Sequence, residues 1–162
     1  FIEMALVKIK DDTSPNRIVN FWNEIMELRN LFKFEFFYTN KPQFSSEIES
    51  ELLRFDKNWR TTLKDPKSDI SALLVKQDIS VSRAILLIYI EANKVVCHTL
   101  NQWDLDEEFA EEEFLELAMF KGKELHWQSR ITRLDSVSKP FLVSALRLAN
   151  NAKVVPVKRK LN

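Results

Sequence analysis

Ser80-Val81-Ser82-Arg83-Ala84-Ile85-Leu86-Leu87-Ile88-Tyr89-Ile90-Glu91-Ala92-Asn93-Lys94-Val95-Val96-Cys97-His98-Thr99-Leu100 is the most apolar stretch of the chain and decides its fold class. Val81, Ala84, Ile85, Ile88, Ala92, Val95 and Val96 recur at three- and four-residue steps, which puts them on one wide face of a helix. Its uninterrupted apolar part, Ala84 to Ile90, is bracketed by Arg83 and Glu91. That is far short of the roughly 20 residues a bilayer-spanning helix needs. The helix is therefore expected at the centre of a protein core.

The neighbouring segments keep the helical period. Upstream, Ile18, Trp22, Ile25, Arg29 and Phe32 form a stripe behind Ser14-Pro15, a good start signal, and predict a helix over 16–33. Phe44, Ile48, Leu52, Phe55 and Trp59 predict a second, with Ser46 and Glu49 at capping-box spacing. Between them Phe34-Glu35-Phe36-Phe37-Tyr38 reads as a short extended segment closed by Asn40-Lys41-Pro42. The polar run 61–69, which contains Asp65-Pro66, reads as a loop and a candidate internal hinge. Downstream, Asp104 to Asp106 start a helix that passes Gly122 and ends near Gln128. A last helix begins after Asp135 or Ser136, has Pro140 in its first turns, and turns Phe141, Leu142, Ala145, Leu146 and Leu148 inward. The expected architecture is all-α or nearly so, an irregular bundle of about five helices with one short extended aromatic segment.

Composition agrees. The chain has 162 residues and a single glycine, Gly122, where average usage of about 7% would supply many. That scarcity excludes a glycine-rich phosphate loop and disfavours a sheet fold rich in tight turns. The 24 basic residues balance the 24 acidic ones, so no overall field draws the chain to nucleic acid. Cys97 is the one cysteine; it forms no intrachain disulfide, and with two histidines it makes no structural zinc site unless carboxylates or a second chain complete it.

Few residues qualify for chemistry. His98 follows Cys97 directly, and adjacent helical side chains diverge by about 100°, so the two do not bite one metal together. His126, between Leu125 and Trp127, reads as a boundary residue. His98 and Asp104 resemble the histidine–aspartate pair of acyltransferases, in which the carboxylate orients a general base, but Thr99 to Trp103 is one residue too long a spacer. The acidic run from Asp104 to Glu116 lacks the turn glycine of a calcium loop and reads as a solvated helix face. Lys158-Arg159-Lys160 reads as a solvated end. More informative is the aromatic cluster Phe32, Phe34, Phe36, Phe37 and Tyr38. In an extended segment Phe34 and Phe36 share one face and Phe37 takes the other, so apolar rings stand on both sides: the favoured reading is packing between two helices of this same domain, and the alternatives are contact with a missing domain or with a membrane interface.

Three stretches resemble one family. Leu31-Phe32-Lys33-Phe34-Glu35-Phe36-Phe37 with Phe44, then Ala84 to Thr99, then Gly122-Lys123-Glu124-Leu125-His126-Trp127-Gln128-Ser129-Arg130-Ile131, Asp135-Ser136-Val137-Ser138-Lys139 and Ala145-Leu146-Arg147-Leu148-Ala149-Asn150-Asn151 are similar to the C-terminal region of bacterial membrane-bound glycerol-3-phosphate acyltransferases. The family pattern leads one to expect a glycine soon after Asn150-Asn151, where this chain has Ala152-Lys153.

The resemblance implies a parent enzyme that moves an acyl group from acyl-CoA or acyl carrier protein to glycerol 3-phosphate, in phospholipid biosynthesis. It implies that the catalytic pair and phosphate-binding blocks lie upstream in a missing N-terminal acyltransferase domain, where acyl-CoA and glycerol 3-phosphate bind. No catalytic, metal or cofactor-binding residue is assigned to this chain, and no cofactor is expected. Residues 1–162 are expected to be one helical region, inactive alone, cut from a longer polypeptide. The implied location is the cytoplasmic face of the bacterial inner membrane, peripherally attached. The competing expectation is an autonomous helical module that binds a partner helix or an acyl chain.

Overall fold

The computed structural model describes residues 1–75, 79–103 and 110–154. Among them are eight α-helices and no strand: α1 Ile2–Lys8, α2 Arg17–Leu31, α3 Lys41–Phe55, α4 Trp59–Lys64, α5 Ser71–Val75, α6 Ile79–Gln102, α7 Glu111–Trp127 and α8 Lys139–Asn151, with a 3-10 turn at Leu134–Val137. The nearly all-α fold matches the periodicity. The chain divides into two compact units, Phe1–Arg83 and Ala84–Asn162.

In the first unit α2 packs against α1 and α4, and α1 against α5. Phe21 and Ile25 of α2 and its C-terminal cap residue Phe32 are fully buried with Leu6, Leu63 and, nearly so, Leu52 and Trp59. Arg17 lies on the same buried line of α2 and is 2% exposed. Its guanidinium donates to the carbonyls of Thr62 (2.5 Å), Leu63 (3.1 Å), Ser68 (3.0 Å) and Asp65. Those are the end of α4 and the turn beyond it, where helical carbonyls lose their partners. The 61–69 stretch, expected as a loop, thus contains the end of α4 and lies within the first unit.

Helix starts differ from the sequence reading. Asn40-Lys41-Pro42 opens α3 instead of closing a strand: the Asn40 side chain accepts from the Gln43 amide at 3.0 Å, with proline in the first turn. Ser46 is therefore interior, and its carbonyl accepts from the Ser50 hydroxyl. The helix 16–33 is observed as α2, with Asn16 as its cap residue and the Ser14 carbonyl accepting from Arg17 N–H. The expected start of α7 at Asp104 to Asp106 falls outside the described residues.

In the second unit α7 packs on α8 and on the 3-10 turn. Val95, Val96, Phe114, Ala118, Leu142 and Leu146 form its centre. Gly122 permits this packing: a Cβ there would stand 2.6 Å from Val137 Cγ1 and 2.9 Å from Cγ2. Glu91, 5% exposed, ties α6 to the loop after α7. Its Oε1 accepts from Thr132 N (2.7 Å) and Oγ1 (2.9 Å), and its Oε2 from Arg133 N (2.7 Å).

Helices α7 and α8 stop the same way. Ser129 and Lys153 have φ 57°, and the next amide reaches back five residues, Arg130 to Leu125 O (2.8 Å) and Val154 to Ala149 O (3.0 Å). This is the left-handed helix stop that favours glycine. Lys153 belongs to the Ala152-Lys153 pair, the place where the resemblance leads one to expect a glycine.

Three outcomes follow from this geometry. Gly122→Ala lowers the melting temperature, because overpacking of about 1–3 kcal/mol outweighs the roughly 1 kcal/mol that alanine gains in a helix; Gly122→Ala with Val137→Ala recovers it. Lys153→Gly stabilises by about 0.5–1 kcal/mol, since the left-handed strain of a side chain exceeds the entropy glycine loses. Glu91→Gln puts a donor against a donor and costs about 1–3 kcal/mol in urea unfolding, with Thr132→Val losing less.

Candidate functional site

The five aromatic residues singled out in the sequence lie between α2 and α3. The segment is not extended: the amides of Glu35 and Phe36 both donate to the Phe32 carbonyl, at 3.0 and 3.1 Å, and residues 33–36 turn. The helical period, not the strand period, therefore sorts the rings. Phe32 and Phe36, four apart, come together with centroids 6.1 Å apart, while Phe34 and Phe37 point out. The expected pairing of Phe34 with Phe36 on one face is corrected accordingly.

The inward group is a ring cluster. Phe1 stacks on Phe32 at 5.6 Å, Phe36 meets Tyr38 at 6.4 Å, and Tyr38 meets Phe44 edge-on at 5.4 Å. Arg29 covers it, with Cζ 5.1 Å from the Tyr38 ring and 5.4 Å from that of Phe44, and donates to the Thr39 carbonyl at 2.8 Å. Burial of the Tyr38 hydroxyl pushes its pKa up to about 12, with the Arg29 charge opposing. Phenolate chemistry near neutral pH is thus excluded there. Phe32 is fully buried in the first unit, and Phe36 and Tyr38 are half-buried beside it.

Phe34 and Phe37 do not. They are 46% and 107% exposed, and Lys33 Nζ lies 5.0 Å from the Phe34 ring. Two unburied phenylalanines set on a rigid aromatic base form a surface suited to burial against something else. What this arrangement offers chemically is adhesion.

The acid–base candidates are dispersed. His98 lies on α6 with Nε2 3.3 Å from Gln102 Nε2, and burial followed by the Arg130 and Lys121 charges lowers its pKa. Cys97 is on an exposed part of the same helix, its thiol pushed up by partial burial. Asp104 lies outside the described residues, as do Lys158-Arg159-Lys160 and the acidic run up to Phe109. Of the described remainder of that run, Glu111 is half-buried and Glu112, Glu113 and Glu116 are exposed, with Glu112 paired to Lys139 at 3.0 Å. His126 is half-buried on α7. Among the described residues no group of three or more histidine, cysteine or acidic side chains converges to hold a metal.

Sequence reasoning passed over Arg17 and Glu91, the two buried ions with the most bonds. The signal was there. Each lies on the buried line of its helix, Arg17 four residues before Phe21 and Glu91 four before Val95. Their partners are backbone groups and the Thr132 hydroxyl, so both are structural.

Comparison with known proteins agrees with this picture. No solved structure matches the chain. Among the described residues no helix is long and apolar enough to cross a membrane. Proteins named "Putative acyltransferase plsB1" from Mycobacterium bovis and from two strains of Mycobacterium tuberculosis are 28% identical over 155 residues, which is 94% of this chain and 25% of theirs. The chain thus spans about a quarter of the length of these relatives. The family model described as glycerol-3-phosphate acyltransferase C-terminal region matches residues 1–158, and the chain belongs to that family.

Proposed function

We propose that this region supports the catalytic part of an enzyme that transfers an acyl group from acyl-CoA or acyl carrier protein to the 1-hydroxyl of glycerol 3-phosphate, and that no side chain of residues 1–162 touches the reacting atoms. The observation that carries this reading is the family match over residues 1–158. The buried charges support it, because Arg17 and Glu91 are bonded to the chain's own backbone and are not aimed at a substrate.

In this reading the acyltransferase domain of the same polypeptide is the partner, and acyl-CoA and glycerol 3-phosphate bind there. Phe34 and Phe37 are the contact with it: burying both against a protein surface contributes roughly 2–5 kcal/mol. The parent sits peripherally at the cytoplasmic face of the inner membrane. The autonomous module is the less favoured reading, since the match takes nearly the whole chain as part of a longer protein.

Thiol release from acyl-CoA in the presence of glycerol 3-phosphate tests the division of labour. The 162-residue chain alone is expected to show only the uncatalysed rate. Turnover that disappears in His98→Ala would falsify the proposal.

A further inference from the structure

Helix α7 changes character along its length. Its first half carries Glu111, Glu112, Glu113 and Glu116, whereas its second half and the turn beyond carry Lys121, Lys123 and Arg130 against Glu124 alone. Two large aromatic side chains sit in the basic half. Phe120 is 55% and Trp127 is 77% exposed. At about 100° per residue, Phe120, Lys123 and Trp127 share one line, with the exposed Glu116 one turn before Phe120 on it, nearly opposite the buried line of Phe114, Ala118, Gly122 and Leu125. No adjustment of this helix brings them into its own core.

Cations frame the line. Lys121 Nζ lies 5.8 Å from the Phe120 ring and 2.9 Å from Glu124 Oε2. From α6, Lys94 Nζ reaches the Arg130 carbonyl at 2.5 Å, which brings a further charge to the end of α7. Lys94, Lys121 and Arg130 are near enough to His98 to add to the effect of burial in lowering its pKa. Glu124 opposes them, so three cations stand against one carboxylate around His98.

We infer that the C-terminal half of α7, through Phe120, Trp127, Lys123 and the neighbouring Lys94, Lys121 and Arg130, docks on an anionic lipid surface. Charge complementarity selects an anionic partner. Shape selects a fluid one: a convex helix offers two separated aromatic knobs, which a bilayer interface accommodates by deforming around them. A folded protein would have to present matching holes. Indole and phenyl rings at headgroup depth with lysine and arginine stems beside them are the usual chemistry of such contacts. This inference rests on the α7 surface and not on the acyltransferase reading. Flotation reports lipid contact and thiol release reports catalysis, so either can fail without the other.

The test is flotation of the 162-residue chain with phosphatidylcholine vesicles, with and without about 30% phosphatidylglycerol. The chain is expected to float with the anionic vesicles and not with the neutral ones. Phe120→Ser with Trp127→Ser lowers the bound fraction roughly tenfold or more, and Lys123→Glu lowers it severalfold. Both leave the melting temperature unchanged, because the replaced side chains are exposed. Phe34→Ser with Phe37→Ser still floats. Independently, brominated lipid quenches the tryptophan emission of the unmodified chain, and Trp127→Phe abolishes that quenching. No flotation, equal flotation on neutral vesicles, retention of flotation without Phe120 and Trp127, or quenching that survives Trp127→Phe would each overturn the assignment.

Discussion

Backbone groups that leave a helix must find partners, and this chain satisfies two of its irregular connections with buried ions. Arg17 gathers four carbonyls from the end of α4 and the turn after it. Glu91 takes two amides and a hydroxyl from the loop after α7. The two are complementary solutions to one problem: a cation where carbonyls are orphaned, a carboxylate where amides are. Each bond is charge-assisted and stronger than a neutral one, and each ion would be unfavourable in the interior without its partners. Ion and connection therefore order together within each unit.

This arrangement follows from the scarcity of glycine. A chain with one glycine has little access to positive φ, so its connections are built from side-chain bonds and, among the described residues, from two strained ones, Ser129 and Lys153. Gly122 itself sits in a helix, not in a turn. There it removes volume, so that α7 can lie against Val137. The conformational freedom of glycine is unused at that position, and its missing Cβ is what the packing requires.

The long elements were legible because periodicity sums over many residues. α2, α3, α6 and α8 were each visible as stripes, and the described part of α7 ends where Gln128 was expected to end it. α1, α4 and α5 were not legible, since five to seven residues complete too few turns for a period to emerge. The aromatic segment was misread for a related reason. Consecutive phenylalanines have strand propensity, but tertiary contact with Phe1, Tyr38 and Phe44 rewards the four-residue step from Phe32 to Phe36 and overrides it. Of the candidate contact residues, composition identified the region, and only the turn at 33–36 could divide it into a buried Phe32 with Phe36 and Tyr38 half-buried against it and Phe34 and Phe37 outside.

That division bears on function. A ring is available to a partner only if its own unit leaves it unburied, and an exposed ring discriminates between partners only if its base is rigid. Phe34 meets both conditions, because the turn that carries it is bonded to Phe32, which is itself fully buried; Phe37 follows that turn directly. Phe120 and Trp127 meet them through the regular helix beneath them. The two pairs differ in surroundings, however. Phe34 and Phe37 bracket Glu35 with Lys33 alongside, a nearly neutral setting that suits a protein surface, whereas around the rings of α7 Lys94, Lys121, Lys123 and Arg130 outnumber Glu116 and Glu124. A nearly neutral apolar knob and a basic aromatic ridge have different optimal partners. Electrostatic setting, more than exposed apolar area, is what separates the two surfaces.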